Sequence, residues 1–279
     1  MLNNLQKRTF TALLIFPFVI SIILYSNDVV IRIFLNIIIF ISSFEISKMC
    51  FYSSTKETNN KKHYYFIATV FISIFISNIL IKNSAWIFLI IPSVLFWLYI
   101  IFYLANIKII DQIKMFNIFY FFTFLLVISS FYCSLYTIYL YSHKALIYLI
   151  SIVAIGDISA FFIGKKYGKN PFFKVISPNK TKEGFIGSLI ICLLAALGYC
   201  LFENYDLNFI VKVMFLTFFT VLVSAFGDLF ISLIKRRSGK KDTGNILPGH
   251  GGILDRVDGL LAAAPVFLIF SYFLSAIIQ

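Results

Sequence analysis

The chain has 279 residues, of which 60% are hydrophobic and 13% charged, and its formal net charge is +12. So little polar surface cannot cover a soluble globule of this length, which excludes a soluble globular protein. A nucleic-acid partner is also excluded, because most of the positive charge follows the pattern that orients a membrane protein.

Nine apolar runs are long enough to cross a bilayer as helices. They lie near residues 10–26, 30–49, 64–81, 85–105, 116–134, 145–164, 184–202, 209–231 and 259–277, the second and fifth having the least distinct limits. The predicted fold class is therefore all-α, a polytopic membrane bundle of about nine transmembrane helices. The first run follows Lys7 and Arg8 without a small-x-small cleavage site, so we expect it to remain as a span.

The basic residues predict the orientation of these spans. With the N-terminus in the cytoplasm, 20 of the 24 Lys and Arg residues fall in inner segments, where such residues collect. Both long polar loops then face the cytoplasm. Charged and hydrogen-bonding residues within or beside the spans are concentrated in the second half of the chain. We therefore predict a transmembrane scaffold over 1–144 and a catalytic transmembrane region over 145–279.

An acidic residue lies inside the sixth predicted span. Asp157 is about one and a half turns from the cytoplasmic end, beside small residues that let neighbouring helices approach. A carboxylate in a membrane helix indicates function by default. The alternative is that Asp157 pairs with a Lys of its own loop and only holds the helix in place.

The following loop offers donors for phosphate. Ser177, Lys180 and Thr181 come just before the seventh span, and Pro178 is expected to fix a turn. A helix N-terminus adds free N–H groups and a positive dipole end, which bind phosphate. An ordinary basic cytoplasmic loop is the alternative.

The end of the eighth span carries four polar residues at helical spacing. If the helix continues to about Arg237, then Asp228, Ser232, Lys235 and Arg236 lie on one face. A simple salt bridge at a helix end would give the same spacing, but it would leave the following twenty residues unexplained.

Those twenty residues combine carboxylates, cations and glycines. Lys241 and Asp242 lead into a glycine-rich turn around His250, and Asp255 and Asp258 stand at the entrance to the ninth span. Carboxylates among Lys and Arg fit Mg²⁺, which is held by one or two carboxylates plus substrate phosphates. His250 could be a base, a phosphate donor or a structural residue, and we favour one of the last two roles.

These residues resemble the signature of the phosphatidate cytidylyltransferases (CDP-diacylglycerol synthases). The matching run is Ser232-x-Ile-Lys235-Arg236, four residues, Lys241-Asp242-x-Gly244-x-x-Leu-Pro-x-His250-Gly-Gly-Ile-x-Asp255-Arg256-Val-Asp258. The resemblance covers roughly residues 150–279 and includes the blocks at 157–168 and 177–184. The chain departs from the family pattern after Asp157, where it reads Ile-Ser-Ala-Phe, and at Lys182, which is often Trp.

The resemblance implies an enzyme of a bacterial cytoplasmic (inner) membrane that converts CTP and phosphatidate to CDP-diacylglycerol and diphosphate, with its active site facing the cytoplasm. It implies Mg²⁺ as cofactor, with one or two ions left open. The implied catalytic residues are Asp228, Lys235, Asp255 and Asp258, with Asp228 and Asp255 as metal ligands; the implied substrate-binding residues are Ser177, Lys180, Thr181, Ser232, Arg236, Lys241, His250 and Arg256; the secondary candidates are Asp157, Glu183 and Asp242.

The expected partners are CTP, phosphatidate and the lipid bilayer, and a homodimer is left open. Two other functions fit parts of the pattern. A lipid-alcohol kinase that uses CTP would need a similar phosphate site. A transporter could use Asp157 and Asp228 inside the membrane, although the polar residues cluster on one side and no inverted repeat is visible.

Overall fold

The computed structural model describes residues 16–50, 58–107, 118–244, 246 and 251–274. Within these ranges it contains nine helices and one two-stranded sheet. The helices are α1 Phe16–Tyr25, α2 Asp28–Cys50, α3 Thr58–Lys82, α4 Ile87–Asn106, α5 Ile118–Tyr141, α6 His143–Tyr167, α7 Lys182–Phe202, α8 Leu207–Arg237 and α9 Leu254–Leu274; the strands are β1 Pro171–Phe173 and β2 Ser177–Thr181.

The predicted all-α membrane bundle is confirmed. Helices α2 to α9 are each long and apolar enough to cross a membrane, and their limits lie within seven residues of the predicted spans. Helix α1 is described only from Phe16, so the first part of its predicted span lies outside the described residues. Helix α8, with 31 residues, is the longest of the described helices and ends at Arg237 as expected.

Hydroxyl groups link helices inside the bundle. Ser93 of α4 donates to Ser130 of α5 over 2.8 Å, and Ser129 of α5 donates to Ser73 of α3 over 2.7 Å. In lipid, helices gain little from burying apolar surface against each other, so close packing and such hydrogen bonds contribute to their association. The first half of the chain is thereby tied into one scaffold.

Aromatic packing joins this scaffold to the second half. Phe230 of α8 packs edge-on against Trp97 of α4, with ring centroids 5.7 Å apart, and lies 5.9 Å from Phe124 of α5. Trp97 and Phe124 are fully buried. The division of the chain into domains at 144/145 stays a prediction.

The helices alternate in direction, and the polar residues of the second half meet at one end. We call this the charged end: the C-terminal turns of α2, α6 and α8, the N-terminal turns of α7 and α9, the hairpin β1–β2 and the described residues 238–244, 246 and 251–253. At the opposite end Tyr136 of α5 donates to Asp28 of α2 over 2.7 Å. The hydroxyl of Tyr139 donates to the carbonyl of Ser26 over 3.0 Å.

The hairpin β1–β2 is a feature that the sequence reasoning missed. Pro171 pairs with Thr181 and Phe173 with Ser177, with an irregular register between the two pairs. The turn lies at 174–176, and Pro178 lies inside β2 instead of making the predicted turn. Proline is tolerated in a two-stranded sheet because both strands are edges.

Lys82 ends α3 at the opposite end of the bundle and is exposed there. Replacing it with Ala should change enzymatic activity less than about twofold, since isolated surface charges contribute little. The check is turnover of the purified variant beside the wild type. A large loss of activity would show that this end of the bundle takes part in the reaction.

Candidate active site

A cavity of about 1030 Å³ opens at the charged end. Its lining combines two kinds of residue. The charged ones are Asp157, Lys165, Lys180, Asp228, Lys235, Asp242, Asp255, Arg256 and Asp258, and the apolar ones include Val153, Phe161, Phe172, Phe185 and Val221. The volume is at the upper end of the range for small-molecule sites, and the mixed lining suits a ligand with a charged head and an apolar tail.

The hairpin brings one cation into this cavity. Phe172 stacks on Phe185 of α7, with ring centroids 4.7 Å apart and planes at 16°, and also contacts Phe226 of α8. Held in this way, β2 directs Lys180 to α8, where its ammonium group forms an ion pair with Asp228. Lys180 and the eighth span, separate in the sequence, therefore meet at one site.

Two residues that were predicted beside this lysine have structural contacts. Thr181 is the N-cap of α7, and its hydroxyl accepts from the Gly184 amide over 3.1 Å. Glu183 accepts from the backbone of Lys169 and from both the backbone and side chain of Asn170. Thr181 lines the cavity, whereas Glu183 fixes the approach to the hairpin.

The predicted face of α8 is present in part. The Ser232 hydroxyl donates to Asp228 over 3.3 Å, one turn away. Lys235 lies one turn further and its ammonium group is 2.7 Å from Asp255 of α9. Arg236 is exposed and does not line the cavity.

Asp255 is the most fully bonded carboxylate of the site. Its Oδ1 accepts from Lys235, and its Oδ2 accepts from the backbone amides of Thr243 and Gly252 over 2.9 and 3.0 Å. The side chains of Lys235 and Asp255 are only 13% and 7% exposed. A carboxylate with this many donors is held in one orientation, which an active-site ligand needs.

Gly251 permits this arrangement. Its φ is +83°, a conformation open to glycine but strained for other residues. A Cβ atom at this position would lie 2.6 Å from Asp255 Oδ2. The glycine-rich turn therefore brings the backbone close to the carboxylate.

Two further carboxylates line the same cavity. Asp258 lies one turn beyond Asp255 on α9 and is 8% exposed, while Asp157 of α6 is exposed to the cavity. Asp242 and Arg256 complete the charged lining from the segment before α9 and its first turn. The acidic residues predicted from three separate sequence blocks thus come together.

Other predicted residues lie elsewhere. Ser177 is half-buried in β2 and Lys241 is exposed, and neither lines the cavity. His250 lies outside the described residues. Lys240, beyond the end of α8, donates to the carbonyl of Lys48 over 3.2 Å, and partial burial together with the Lys48 ammonium group lowers the pKa of Lys240.

The sequence reasoning missed two charged residues near the site. Glu45 of α2 is 2% exposed and accepts hydrogen bonds from the segment that leads into α9. Arg237 donates to the hydroxyls of Tyr120 and Tyr103, each over 2.6 Å, and so ties the end of α8 to α5 and α4. Glu45 could have been noticed as a carboxylate within an apolar span.

The sequence matches the cytidylyltransferase family over residues 6–274. The chain belongs to the cytidylyltransferase family. This confirms the family that the signature at 232–258 predicted, and it extends the likeness over the first half, where the sequence had suggested only apolar spans.

Several curated relatives are phosphatidate cytidylyltransferases. The chain is 41% identical over 131 residues to that of Haemophilus influenzae, with 46% of each chain covered. It is 44% identical over 121 residues to that of Bacillus subtilis, with 43% of each covered, and 44% identical over 124 residues to that of Staphylococcus aureus, with 43% of this chain and 46% of the relative covered. The chain thus spans slightly less than half the length of these relatives.

Proposed function

We propose that the protein is a phosphatidate cytidylyltransferase, which transfers the cytidylyl group of CTP to phosphatidate and releases diphosphate. The observation that carries the proposal is the single cavity in which Lys180, Lys235 and Arg256 meet five carboxylates and an apolar wall. A nucleoside triphosphate and a lipid phosphate both need cations, and the lipid also needs apolar contact. Membership of the cytidylyltransferase family and the names of the relatives support the same reaction.

The charge balance of the cavity supports a divalent cation as cofactor. Its described lining holds five acidic and four basic side chains, a formal charge of −1. A triphosphate carries several negative charges, so it would be repelled unless a cation entered with it. Mg²⁺ is the ion that suits oxygen ligands and phosphates.

The residues fit such an ion only together with the substrate. Among the described residues, no three His, Cys, Asp or Glu side chains form a ready metal site. Asp228 and Asp255 would hold Mg²⁺, and substrate phosphates would complete its ligands, as is usual for this ion. Bound Mg²⁺ would neutralise charge on the α-phosphate and on the departing diphosphate. Whether one or two ions bind is left open.

Two lysines of the site form ion pairs with carboxylates in the absence of substrate. Lys180 pairs with Asp228 and Lys235 with Asp255. We infer that, as a phosphate enters, each ammonium group turns from its carboxylate to the phosphate oxygens. Ser232, which donates to Asp228, helps to orient that carboxylate. Once turned to the phosphate, these charges would stabilise the negative charge that develops in the transition state.

The reaction itself needs little proton transfer. The phosphate oxygen of phosphatidate attacks the α-phosphorus of CTP, a new P–O bond forms, and the bond to the β-phosphate breaks in line. Because a phosphate monoester is already ionised near pH 7, no strong general base is required. Arg256 and Lys180 would bind phosphate charge from the cavity wall, and Asp258 and Asp157 are secondary candidates for the cation.

Two alternatives make different predictions. A CTP-dependent lipid-alcohol kinase would transfer the terminal phosphoryl group instead of the cytidylyl group. A transporter would place its binding residues near the middle of the membrane, whereas here they lie at the charged end. The family membership favours the cytidylyltransferase.

The described residues form eight helices that are long and apolar enough to cross a membrane, so the protein is a multi-pass membrane protein. We propose that its charged end faces the cytoplasm of a bacterial cell, because CTP is cytosolic and the basic residues cluster there. This orientation places the cavity beside the inner leaflet that contains phosphatidate.

The first test uses purified protein in detergent with phosphatidate, Mg²⁺ and CTP labelled at the α-phosphate. We expect label in the lipid product, and we expect EDTA to abolish it while Mg²⁺ in excess restores it, since five carboxylates already offset the four basic side chains of the cavity and a polyphosphate therefore needs a further cation. Label that enters lipid only from terminally labelled CTP would instead identify a kinase. Equal turnover with and without EDTA would contradict the metal assignment.

A further inference from the structure

Glu45 is a buried carboxylate from the half of the chain that was predicted to be scaffold. It lies near the C-terminus of α2 and is 2% exposed. Oε1 accepts from the backbone amide of Ile253 over 3.0 Å, and Oε2 accepts from that of Leu254 over 2.9 Å. These amides open helix α9, so Glu45 caps a helix more than 200 residues away in sequence.

The same carboxylate is linked to the site residue Asp255 through Thr243. The Thr243 hydroxyl lies 2.8 Å from Glu45 Oε2 and 3.0 Å from Asp255 Oδ2. The Thr243 backbone amide also donates to Asp255. Glu45 therefore fixes the position of both the residue that donates to Asp255 and the first turn of the helix that carries Asp255.

The loop is shaped to admit Glu45. A Cβ atom at Gly244 would lie 2.6 Å from Glu45 Oε1, so a larger residue would push the carboxylate away. Burial of an ionised carboxylate is costly unless hydrogen bonds satisfy it, and here three donors do so. These donors are Thr243 and the backbone amides of Ile253 and Leu254, so the cost is offset where α2 meets Thr243 and the start of α9.

We propose that Glu45 is a positioning residue of the reaction: it holds Thr243 and the start of α9 so that Asp255 keeps its orientation in the cavity. The proposal rests on the proposed function for its effect on turnover. It does not make Glu45 a ligand of substrate or metal. When a residue that orients a ligating side chain through a hydrogen bond is replaced, activity typically falls about 10- to 100-fold.

Glu45→Gln is the informative variant. Gln keeps the shape of the side chain but presents an NH₂ donor to the amides of α9 and to Thr243, which are themselves donors. Asp28→Asn is the matched control, because Asp28 is the acidic residue at the other end of α2 and contacts Arg32 and Tyr136 only at the opposite end of the bundle. Thr243→Val removes only the hydroxyl between the two carboxylates.

The first readout does not depend on activity. Hydrogen–deuterium exchange is followed in peptides that cover residues 243–255. We expect Glu45→Gln to speed their exchange by about tenfold, since a lost bond to a charged group costs about 1.5 kcal/mol or more. Exchange in Asp28→Asn should equal the wild type there. Wild-type exchange in Glu45→Gln would overturn the proposal.

The second readout is kinetic. We expect Glu45→Gln to lower kcat about 10- to 100-fold and to raise the Mg²⁺ concentration for half-maximal rate, with KM for phosphatidate changed less than twofold. Asp28→Asn should change thermal stability but neither kinetic value. Faster exchange with an unchanged kcat and Mg²⁺ dependence would reduce Glu45 to a structural residue and overturn the proposal.

If Glu45→Gln does not yield folded protein, the proposal is tested with Thr243→Val. It should show the same kinetic change in smaller degree, and wild-type kinetics would overturn the proposal. If the wild-type protein makes no CDP-diacylglycerol, the proposed function fails separately, while the exchange experiment still tests whether Glu45 holds Thr243 and the start of α9.

Discussion

Asp255→Asn is expected to lower kcat for CDP-diacylglycerol synthesis by about 10³-fold, because it removes the negative charge that would hold Mg²⁺ and that pairs with Lys235, and replaces one acceptor oxygen by an NH₂ donor. The shape of the side chain is retained. The measurement is transfer of α-labelled cytidylyl to lipid at saturating CTP and phosphatidate. Activity within tenfold of the wild type would contradict a role for Asp255 in metal binding.

Loss of stability could imitate this result, so a second variant separates the two effects. Removing one partner of a buried ion pair leaves an uncompensated charge, at a cost of about 3–5 kcal/mol. In Asp255→Asn with Lys235→Met the charges balance again. We expect this double variant to unfold near the wild-type temperature and to remain inactive. Recovered activity in the double variant would mean that Asp255 acts only by pairing with Lys235.

Lys180→Met should lower kcat/KM for CTP by about 100-fold. The variant loses the ammonium group that would stabilise negative charge as it develops on the phosphate. The lysine is the residue through which the hairpin reaches Asp228. Met keeps the length and apolar surface of the side chain, so the packing of Phe172 on Phe185 should persist. The assay is initial rate against CTP concentration at fixed phosphatidate.

Lys174→Met is the matched control for this variant. Lys174 lies in the turn of the same hairpin and is exposed, and it does not line the cavity. Its replacement should leave kcat/KM within about twofold of the wild type. If both variants lose activity equally, the hairpin acts through its general positive charge and not through the contact of Lys180 with Asp228.

The membrane helices could be predicted from the sequence because each one corresponds to a long apolar run. Each apolar run extends over about 20 residues, so a few polar residues inside it, such as Asp157, do not hide it. The helical spacing of Asp228, Ser232 and Lys235 also predicted their common face, since α8 continues unbroken to Arg237. Arg236 shows the limit of that argument, because one further residue rotates a side chain by about 100° and out of the cavity.

The hairpin and the contacts of Glu45 could not be predicted from apolar runs or helical spacing. Strands of three and five residues are too short for a pattern of period two to stand out from a basic loop. Glu45 is the one acidic residue between Asp28 and Glu57, yet its partners lie about 200 residues away. Only the packing of α2 beside α9 reveals what the carboxylate contacts.

The length of α8 sets the depth at which the reaction would occur. At about 1.5 Å per residue its 31 residues extend roughly 46 Å, whereas the hydrocarbon core of a bilayer is about 30 Å thick. Asp228 lies roughly 32 Å from the first residue of the helix, so a helix that enters the core at Leu207 would bring Asp228 close to the second boundary. The phosphate of a lipid in that leaflet would lie at the same height, and phosphatidate would reach the cavity by sliding sideways, with its acyl chains still among their neighbours.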